Sequence, residues 1–156
     1  MNAIRIKPTK IAVSRSCSTK KVNSSNILNL KEKELCKLFY HKIRTLQTHN
    51  QFKFDFFIFH VANQQNTSKA YTLELIRMGL RAGVADYCIL FPGAQTAFLE
   101  LKRNERCRMS KKQESFQKQC FLLGNPYMCT HDIDLAISWI KKLGEALLLS
   151  STGTWG

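Results

Sequence analysis

The sequence GVADYCILFPGAQTAFLELKR, residues 83–103, predicts the β-hairpin on which the fold depends. Two runs rich in aromatic and aliphatic residues, Val84–Phe91 and Thr96–Lys102, are predicted strands. The Pro-Gly pair between them favours a turn, so the second strand pairs back on the first. Side chains alternate between the two faces of a strand, and one face of the hairpin is therefore expected to pack against a core.

The end of this hairpin carries charges where an interior strand would carry apolar side chains. Glu100 and Lys102 share one face of the second strand, while Leu101 lies on the other. Asp86, on the first strand, reaches the same face if the hairpin register places it opposite. Two carboxylates and an ammonium group at one sheet edge are typical of a Mg²⁺ or Mn²⁺ site, although a solvated cluster of ion pairs is the simpler alternative.

Periodicity predicts the elements around the hairpin. Apolar residues recur at helical spacing between residues 28 and 48, and an aromatic run at 52–62 is a predicted strand. The other predictions are a helix capped by Thr67 or Ser68 and carrying Ala70, Leu73, Ile76 and Leu80, a helix from Ser110 to about Leu123, a strand at Tyr127–Thr130 and a helix at Asp132–Leu143. The order α-β-α-β-β-α-β-α predicts an α/β domain with a mixed central sheet flanked by helices.

Two of the helices offer further polar side chains to the charged edge. At about 100° per residue, Glu32 lies in the middle of the apolar stripe of the first helix, whereas Glu34 points nearly the opposite way. An acid on a core-facing side is uncommon, so Glu32 is a candidate third carboxylate. Gln113 follows Ser110 by three residues, which is the spacing of a capping box, and capping is compatible with lining a site.

Composition limits the class of partner. The chain has 156 residues, which suits one domain. Its 24 Lys and Arg against 11 Asp and Glu give a net charge of +13, which favours nucleic acid or, less strongly, an anionic membrane surface. No apolar run approaches the roughly 20 residues that cross a bilayer. Scattered cysteines without a CxxC pair, and histidines without zinc-finger spacing, predict free thiols in a reducing compartment and argue against a structural zinc ion.

The amino-terminal segment differs from the rest of the chain. Residues 1–26 contain basic residues, many Ser and Thr, and no acid. This composition predicts a disordered basic arm that adds non-specific attraction to phosphates. An organellar targeting peptide is the alternative interpretation. The folded domain is predicted at residues 28–145, and residues 146–156 are expected to be a tail to which no role is assigned.

Several short motifs surround the charged edge. In chain order they are His60-Val61-Ala62-Asn63, Arg77-Met78-Gly79-Leu80-Arg81-Ala82-Gly83, Gly83-Val84-Ala85-Asp86, Phe98-Leu99-Glu100-Leu101-Lys102 and Ser110-Lys111-Lys112-Gln113. Together they resemble the VRR-NUC domain, the virus-type replication-repair branch of the PD-(D/E)XK nuclease superfamily. Each motif alone is weak, but their order and spacing are fairly specific, and the resemblance runs from about Leu30 to Leu143.

The resemblance implies a restriction-endonuclease-like core and a Mg²⁺- or Mn²⁺-dependent phosphodiesterase that acts on DNA. The implied roles are metal binding by Asp86, Glu100 and the Leu101 carbonyl, orientation or activation of water by Lys102, and site contributions from Gln113 and Glu32, with Glu34 as the substitute for Glu32. The family usually has proline before the aspartate, where this chain has Ala85. Alanine at this position makes the backbone before Asp86 less rigid, but it removes no metal ligand.

Basic residues near the motifs are candidates for contacts with DNA phosphates on either side of the cut. They are Arg81, Arg103, Arg106, Arg108, Lys111, Lys112 and Lys118, for which an ordinary charged surface is the alternative. No ordered set of base-reading residues is visible, so recognition of DNA shape or ends is expected. For His60 and Asn63 two interpretations stay open, namely a histidine buried at a strand end and a position at the edge of the site.

These features lead to two functional hypotheses of different classes. The first is a structure-selective DNA endonuclease for junctions, flaps or ends, acting inside the cell on nucleoid or viral DNA in replication, repair or recombination. A homodimer would place two sites on opposite strands of such a substrate. The second is a non-catalytic DNA-binding subunit that retains the nuclease fold. An RNA-binding module is disfavoured, because the exposed aromatic repeats that stack on bases are absent.

Overall fold

The structure is a computed structural model in which residues 31–61 and 68–151 are described. A four-stranded mixed β-sheet is flanked by helices. The elements are α1 (Glu32–Thr48), β1 (Phe57–His60), α2 (Lys69–Arg77), β2 (Tyr87–Phe91), β3 (Gln95–Leu101), α3 (Lys111–Leu122), β4 (Tyr127–Thr130) and α4 (Ile133–Ser151). The α/β class and the order of the elements are therefore as predicted.

The sheet has the strand order β1-β2-β3-β4. β1 and β2 are antiparallel, as are β2 and β3, whereas β3 and β4 are parallel. A parallel pair needs a crossover connection, and α3 provides it here. The hairpin pairs Tyr87 with Leu99, so the same register brings Asp86 opposite Glu100.

The core lies mainly between one face of the sheet and the helices α1 and α4. Its buried residues include Leu35, Phe39 and Ile43 of α1, Ile89, Leu99 and Leu101 of the sheet, and Ala136, Ile137 and Ile140 of α4. A smaller cluster of Ala85, Cys120 and Tyr127 lies on the other side, where Phe98 and Phe116 pack against it. Because side chains alternate along β3, Glu100 faces the side of the sheet on which α3 lies.

Packing explains where the element boundaries differ from the prediction. β1 begins at Phe57 instead of residue 52, because the rings of Phe52, Phe54 and Phe56 pack on one another instead of joining the sheet. The last helix does not end at Leu143 but continues to Ser151, with Leu147 packed against the core. Residues 146–151, expected to begin a tail, therefore extend α4.

Helix α2 forms where predicted but does not bury its apolar stripe. Ser68 caps the helix by accepting a hydrogen bond from the Tyr71 N–H at 3.3 Å. No residue of α2 is buried, and Tyr71, Leu73 and Ile76 are 47%, 57% and 54% exposed. Helical periodicity predicts an apolar face, but it does not determine what covers that face.

Some of the sequence-based predictions concern residues for which no structure is described. They are the basic arm at residues 1–26, the site-edge residue Asn63, and residues 152–156 of the expected tail. Within residues 31–61 and 68–151, no helix has the length and apolar character that crossing a membrane requires. The cysteines in these ranges are all free thiols, as predicted.

Gly144 in α4 offers a test of the core. A Cβ atom at this position would overlap the ring of Phe54, which is 9% exposed and held by contacts with Phe52 and Phe91. Replacing glycine by alanine inside a helix normally stabilises it by about 1 kcal/mol. Here we expect Gly144→Ala to lower the free energy of unfolding by about 1–2 kcal/mol, because the overlap outweighs helix propensity.

The exposed position Ala146 on the same helix provides the control. Urea denaturation should show Ala146→Gly to be destabilising by about 1 kcal/mol, as propensity alone requires. Glycine would then be preferred at residue 144 and alanine at residue 146. A Gly144→Ala variant more stable than wild type would contradict the described packing of Phe54.

Candidate metal centre

The hairpin register brings two carboxylates together at the end of the β2–β3 pair. Asp86 directly precedes β2, and Glu100 is the penultimate residue of β3. The Leu101 N–H donates a hydrogen bond of 2.8 Å to Asp86 Oδ2. This bond fixes the orientation of the Asp86 carboxylate and leaves its other oxygen available to a ligand.

Glu100 is the most deeply buried acid of the described residues, with 1% of its surface exposed. Its Oε1 accepts hydrogen bonds from Lys102 Nζ at 2.6 Å and from Gln113 Nε2. Its Oε2 is buried without a hydrogen-bond partner. A buried carboxylate oxygen without a partner is energetically costly, and a bound cation would satisfy it.

Glu32 completes a group of three carboxylates. It is the first residue of α1, and its Oε1 lies 3.8 Å from Lys102 Nζ. One oxygen from each of Glu32, Asp86 and Glu100 lies within 4.8 Å of the others. Such an all-oxygen set suits a hard divalent cation such as Mg²⁺ or Mn²⁺. The sequence predicted that Glu32 lies in the middle of an apolar face. In the structure α1 begins at Glu32, and this side chain lies at the exposed rim of the site.

Glu34, the alternative to Glu32 as a site residue, instead stabilises the start of α1. Its Oε2 accepts a hydrogen bond from the Lys31 N–H at 3.0 Å and so helps to cap the start of α1. It is not among the residues that line the cavity described below. The structure thus brings Glu32, and not Glu34, to the other carboxylates.

Lys102 and Gln113 connect the sheet to α3. Lys102 is 8% exposed, and its ammonium group also lies 3.1 Å from Gln113 Oε1. The same Gln113 oxygen accepts the Ser110 N–H at 2.8 Å, while Ser110 Oγ accepts the Gln113 N–H at 3.3 Å. The capping box is confirmed. Because the capping Gln113 also contacts Lys102 and Glu100, capping the helix and lining the site are compatible roles for this residue.

Close packing positions the start of α3 against the site. Gly83 has φ +90°, and a Cβ atom there would approach the Lys112 carbonyl carbon to 2.6 Å. The absence of a side chain therefore lets the segment before Asp86 lie directly on the first turn of α3. Gln113, the next residue in that turn, is held within reach of Glu100 as a result.

The electrostatics of this group favour cation binding. Burial, together with the smaller effect of the nearby Asp86 charge, raises the pKa of Glu100 to about 7. Burial also raises the pKa of Asp86 above its usual range. Burial lowers the pKa of Lys102, but the hydrogen bond and charge of Glu100, together with the charge of Glu32, outweigh this effect, so the net pKa is raised and the ammonium stays charged. A divalent cation would relieve the repulsion between the carboxylates.

An open cavity of about 640 Å³ gives access to these groups. Glu32, Asp86, Lys102 and Gln113 line it, whereas Glu100 does not line it but accepts a hydrogen bond from Lys102. His60 also lines it and is exposed, so this histidine lies at the cavity edge and is not buried at the strand end.

The sequence did not identify every residue that lines the cavity. Lys33 and Cys36 of α1 and Ser110 before α3 line it as well. Cys36 follows Glu32 by four residues, so helical periodicity places both on the same face of α1. That spacing is the sequence signal for Cys36, which its scattered position among the cysteines does not provide.

The predicted DNA-contacting residues are all exposed. They are Arg81, Arg103, Arg106, Arg108, Lys111, Lys112 and Lys118. Among these, Lys112 lines the cavity itself. In the described part of the chain none of the seven forms an ion pair, so their charges are available to an anionic partner.

Comparison of the chain with models of protein families, with curated proteins and with solved structures gives no significant match. The class of the protein therefore rests on its own fold and site. It is an α/β protein with a mixed four-stranded sheet, and it carries a buried carboxylate–lysine cluster beside an open cavity.

The raised pKa of Glu100 predicts a pH-dependent stability when no metal is present. Between about pH 4.5 and pH 7 the unfolded chain loses the Glu100 proton while the folded chain retains it, so stability falls as the pH rises through this window. At 1.36 kcal/mol per pKa unit the loss is about 3 kcal/mol. We expect Glu100→Gln to remove this part of the pH dependence, because the glutamine side chain does not titrate.

Chemical denaturation in the presence of a chelator, at several pH values, measures this effect. Glu105→Gln, which changes an exposed acid, is the matched control and should follow the wild-type curve. Parallel curves for wild type and Glu100→Gln would contradict the burial cost assigned to this carboxylate.

Proposed function

We propose that the chain is a Mg²⁺- or Mn²⁺-dependent nuclease that hydrolyses phosphodiester bonds in DNA, built on a restriction-endonuclease-like core of the VRR-NUC type. One observation carries the proposal. The carboxylates of Glu32, Asp86 and Glu100 meet next to the Lys102 ammonium beside an open cavity. Carboxylates that hold a divalent cation, with a lysine beside them, can supply what phosphodiester hydrolysis requires.

The donor set fits the proposed cation. Glu100 Oε2 is buried without a partner, and Asp86 has one oxygen held by the Leu101 N–H and one left over. The Leu101 carbonyl, at the end of β3, is proposed as a further ligand. When bound, a Mg²⁺ or Mn²⁺ ion would neutralise phosphate charge and lower the pKa of a water molecule.

Lys102 has the position of a residue that orients water or phosphate. Its ammonium lies between oxygens of Glu100 and Gln113, which restrict its motion, and it lines the cavity. In hydrolysis a water oxygen forms a bond to phosphorus, the bond to one sugar oxygen breaks, and that oxygen receives a proton. Lys102 would stabilise the negative charge that develops on the phosphate oxygens during this exchange.

The partner in this proposal is DNA, contacted through its phosphates. Lys33 and Lys112 border the cavity, and the exposed arginines of residues 103–108 extend the positive surface. Phosphate contacts position a protein without reading sequence, which supports selection of branched or otherwise structured DNA. A homodimer is part of the proposal, and the exposed apolar side chains of α2 support it as a surface for a second copy.

One observation favours the alternative of a non-catalytic DNA-binding subunit. Lys102 forms ion pairs with both Glu100 and Glu32, so much of the buried charge is balanced without a cation. Calorimetry with Mn²⁺ separates the two functions. The nuclease requires Mn²⁺ affinity that is lost in Asp86→Ala, whereas a pure binding subunit has no such affinity.

Cleavage of DNA tests the proposal directly. A four-way junction, a flap and a linear duplex are incubated with the full chain and Mg²⁺ or Mn²⁺. We expect cleavage of at least one substrate, and a loss of at least about 100-fold in Asp86→Ala and in Glu100→Ala, because each removes a proposed cation ligand. Paired cuts on opposite strands of the junction are the result expected of a dimer.

Glu105→Ala is the matched control, since it removes an exposed acid that does not line the cavity. It should cleave at the wild-type rate. Circular dichroism checks that the Asp86 and Glu100 variants are folded. An absence of cleavage on all three substrates, or residual cleavage equal in wild type and in both site variants, would reject the nuclease.

A further inference from the structure

A second group of potential metal ligands adjoins the carboxylates and shares one of them. One ligand atom from each of Cys36, His60 and Asp86 lies within 4.8 Å of the others. The three residues come from α1, from the end of β1 and from the residue before β2. A thiol, an imidazole and a carboxylate form the mixed sulfur, nitrogen and oxygen set that Zn²⁺ prefers, whereas Mg²⁺ prefers oxygen alone.

Backbone and ring contacts hold each member of this group. The Tyr87 hydroxyl donates a hydrogen bond of 2.8 Å to the Cys36 carbonyl. The Tyr87 ring also contacts the His60 ring edge-on, with 5.3 Å between the ring centroids. The Leu101 N–H orients Asp86. The buried Tyr87 therefore positions two of the three ligands, Cys36 and His60.

A further backbone bond brings the ends of β1 and β2 together. The Val61 N–H donates to the Asp86 carbonyl at 2.7 Å, which keeps His60 next to Asp86. Ligand atoms around a tetrahedral Zn²⁺ lie about 3.5 Å apart, so a side-chain movement of about 1 Å would close the group around the ion. His60 is exposed at the cavity edge and has room for this rotation.

The cavity gives the ion a route to this group. Cys36, His60 and Asp86 all line it, so the thiol faces the cavity although the residue is only 8% exposed. Three protein ligands with an open fourth position are typical of zinc sites that keep a water molecule or another ligand.

We propose that Cys36, His60 and Asp86 form a Zn²⁺ site that competes with Mg²⁺ or Mn²⁺ for Asp86 and thereby inhibits the nuclease. Asp86 has one oxygen engaged by the Leu101 N–H, and the remaining oxygen is the one that both cations need. The inhibition rests on the proposed function, whereas the zinc site itself does not. Zinc binding draws Asp86 away from Glu32 and Glu100 and leaves the hard-cation site incomplete.

Competition of the reduced full chain with a chromophoric zinc chelator tests the site. We expect Cys36→Ala and His60→Ala each to weaken Zn²⁺ binding at least about tenfold. Cys88→Ala and His41→Ala are the controls and should bind like wild type. Cys88 is as buried as Cys36, with 8% exposed, and His41 is exposed like His60. Because His60 is exposed, its replacement keeps the test valid even if loss of Cys36 impairs folding.

Co²⁺ in place of Zn²⁺ identifies the ligands by spectroscopy. A thiolate-to-cobalt absorption band should appear in wild type and in Cys88→Ala, and it should be absent in Cys36→Ala. Equal Zn²⁺ affinity in all variants, or a cobalt–thiolate band that persists without Cys36, would overturn the site.

Inhibition is measured as the Zn²⁺ concentration that halves each variant's own Mg²⁺-dependent cleavage. Cys36→Ala and His60→Ala should require at least about tenfold more Zn²⁺ than wild type. Unchanged sensitivity would overturn the competition. If the wild-type chain cleaves no substrate, the proposed function and the inhibition both fail, while the binding measurements still decide whether the zinc site exists.

Discussion

The buried pairing of Glu100 with Lys102 is the interaction on which the arrangement of the site depends. Both residues follow the alternation of β3, whose opposite face carries Leu99 and Leu101 in the main core. The strand cannot shift to expose the charges without exposing those leucines. Removing one partner of a buried ion pair typically costs about 3–5 kcal/mol, so each charge holds the other in place. Gln113 adds the link to α3 by contacting both side chains.

Much of the fold could be predicted because local signals agreed with the tertiary structure. The Pro-Gly turn, the apolar strands beside it and the Ser110 capping box determined the hairpin and the start of α3. The prediction failed where packing decides the outcome. Aromatic composition did not reveal that Phe52–Phe56 pack as a cluster before β1, and the periodicity of α2 did not reveal that its apolar face stays exposed.

The candidate site could likewise be predicted only where local sequence signals determine the positions of its residues. Alternation placed Glu100 and Lys102 on one face, and the hairpin suggested Asp86 as their neighbour. Cys36 and His60 were not linked to each other, since they belong to α1 and β1 and no sequence spacing joins them. Their proximity follows from tertiary contacts of Tyr87, including its hydrogen bond to the Cys36 carbonyl. The absence of zinc-finger spacing in the sequence argues against a structural zinc ion. It gives no information on ligands that are distant in sequence and that only the fold brings together.

The two ligand groups make Asp86 the centre of the account, because each needs this carboxylate. Diffraction from crystals soaked in Mn²⁺, recorded at an energy where manganese scatters anomalously, tests the central claim most directly. The account predicts an anomalous difference peak bounded by the carboxylates of Glu32, Asp86 and Glu100. Crystals that show no peak there, with Glu100 Oε2 still buried and Lys102 still paired with Oε1, would contradict it.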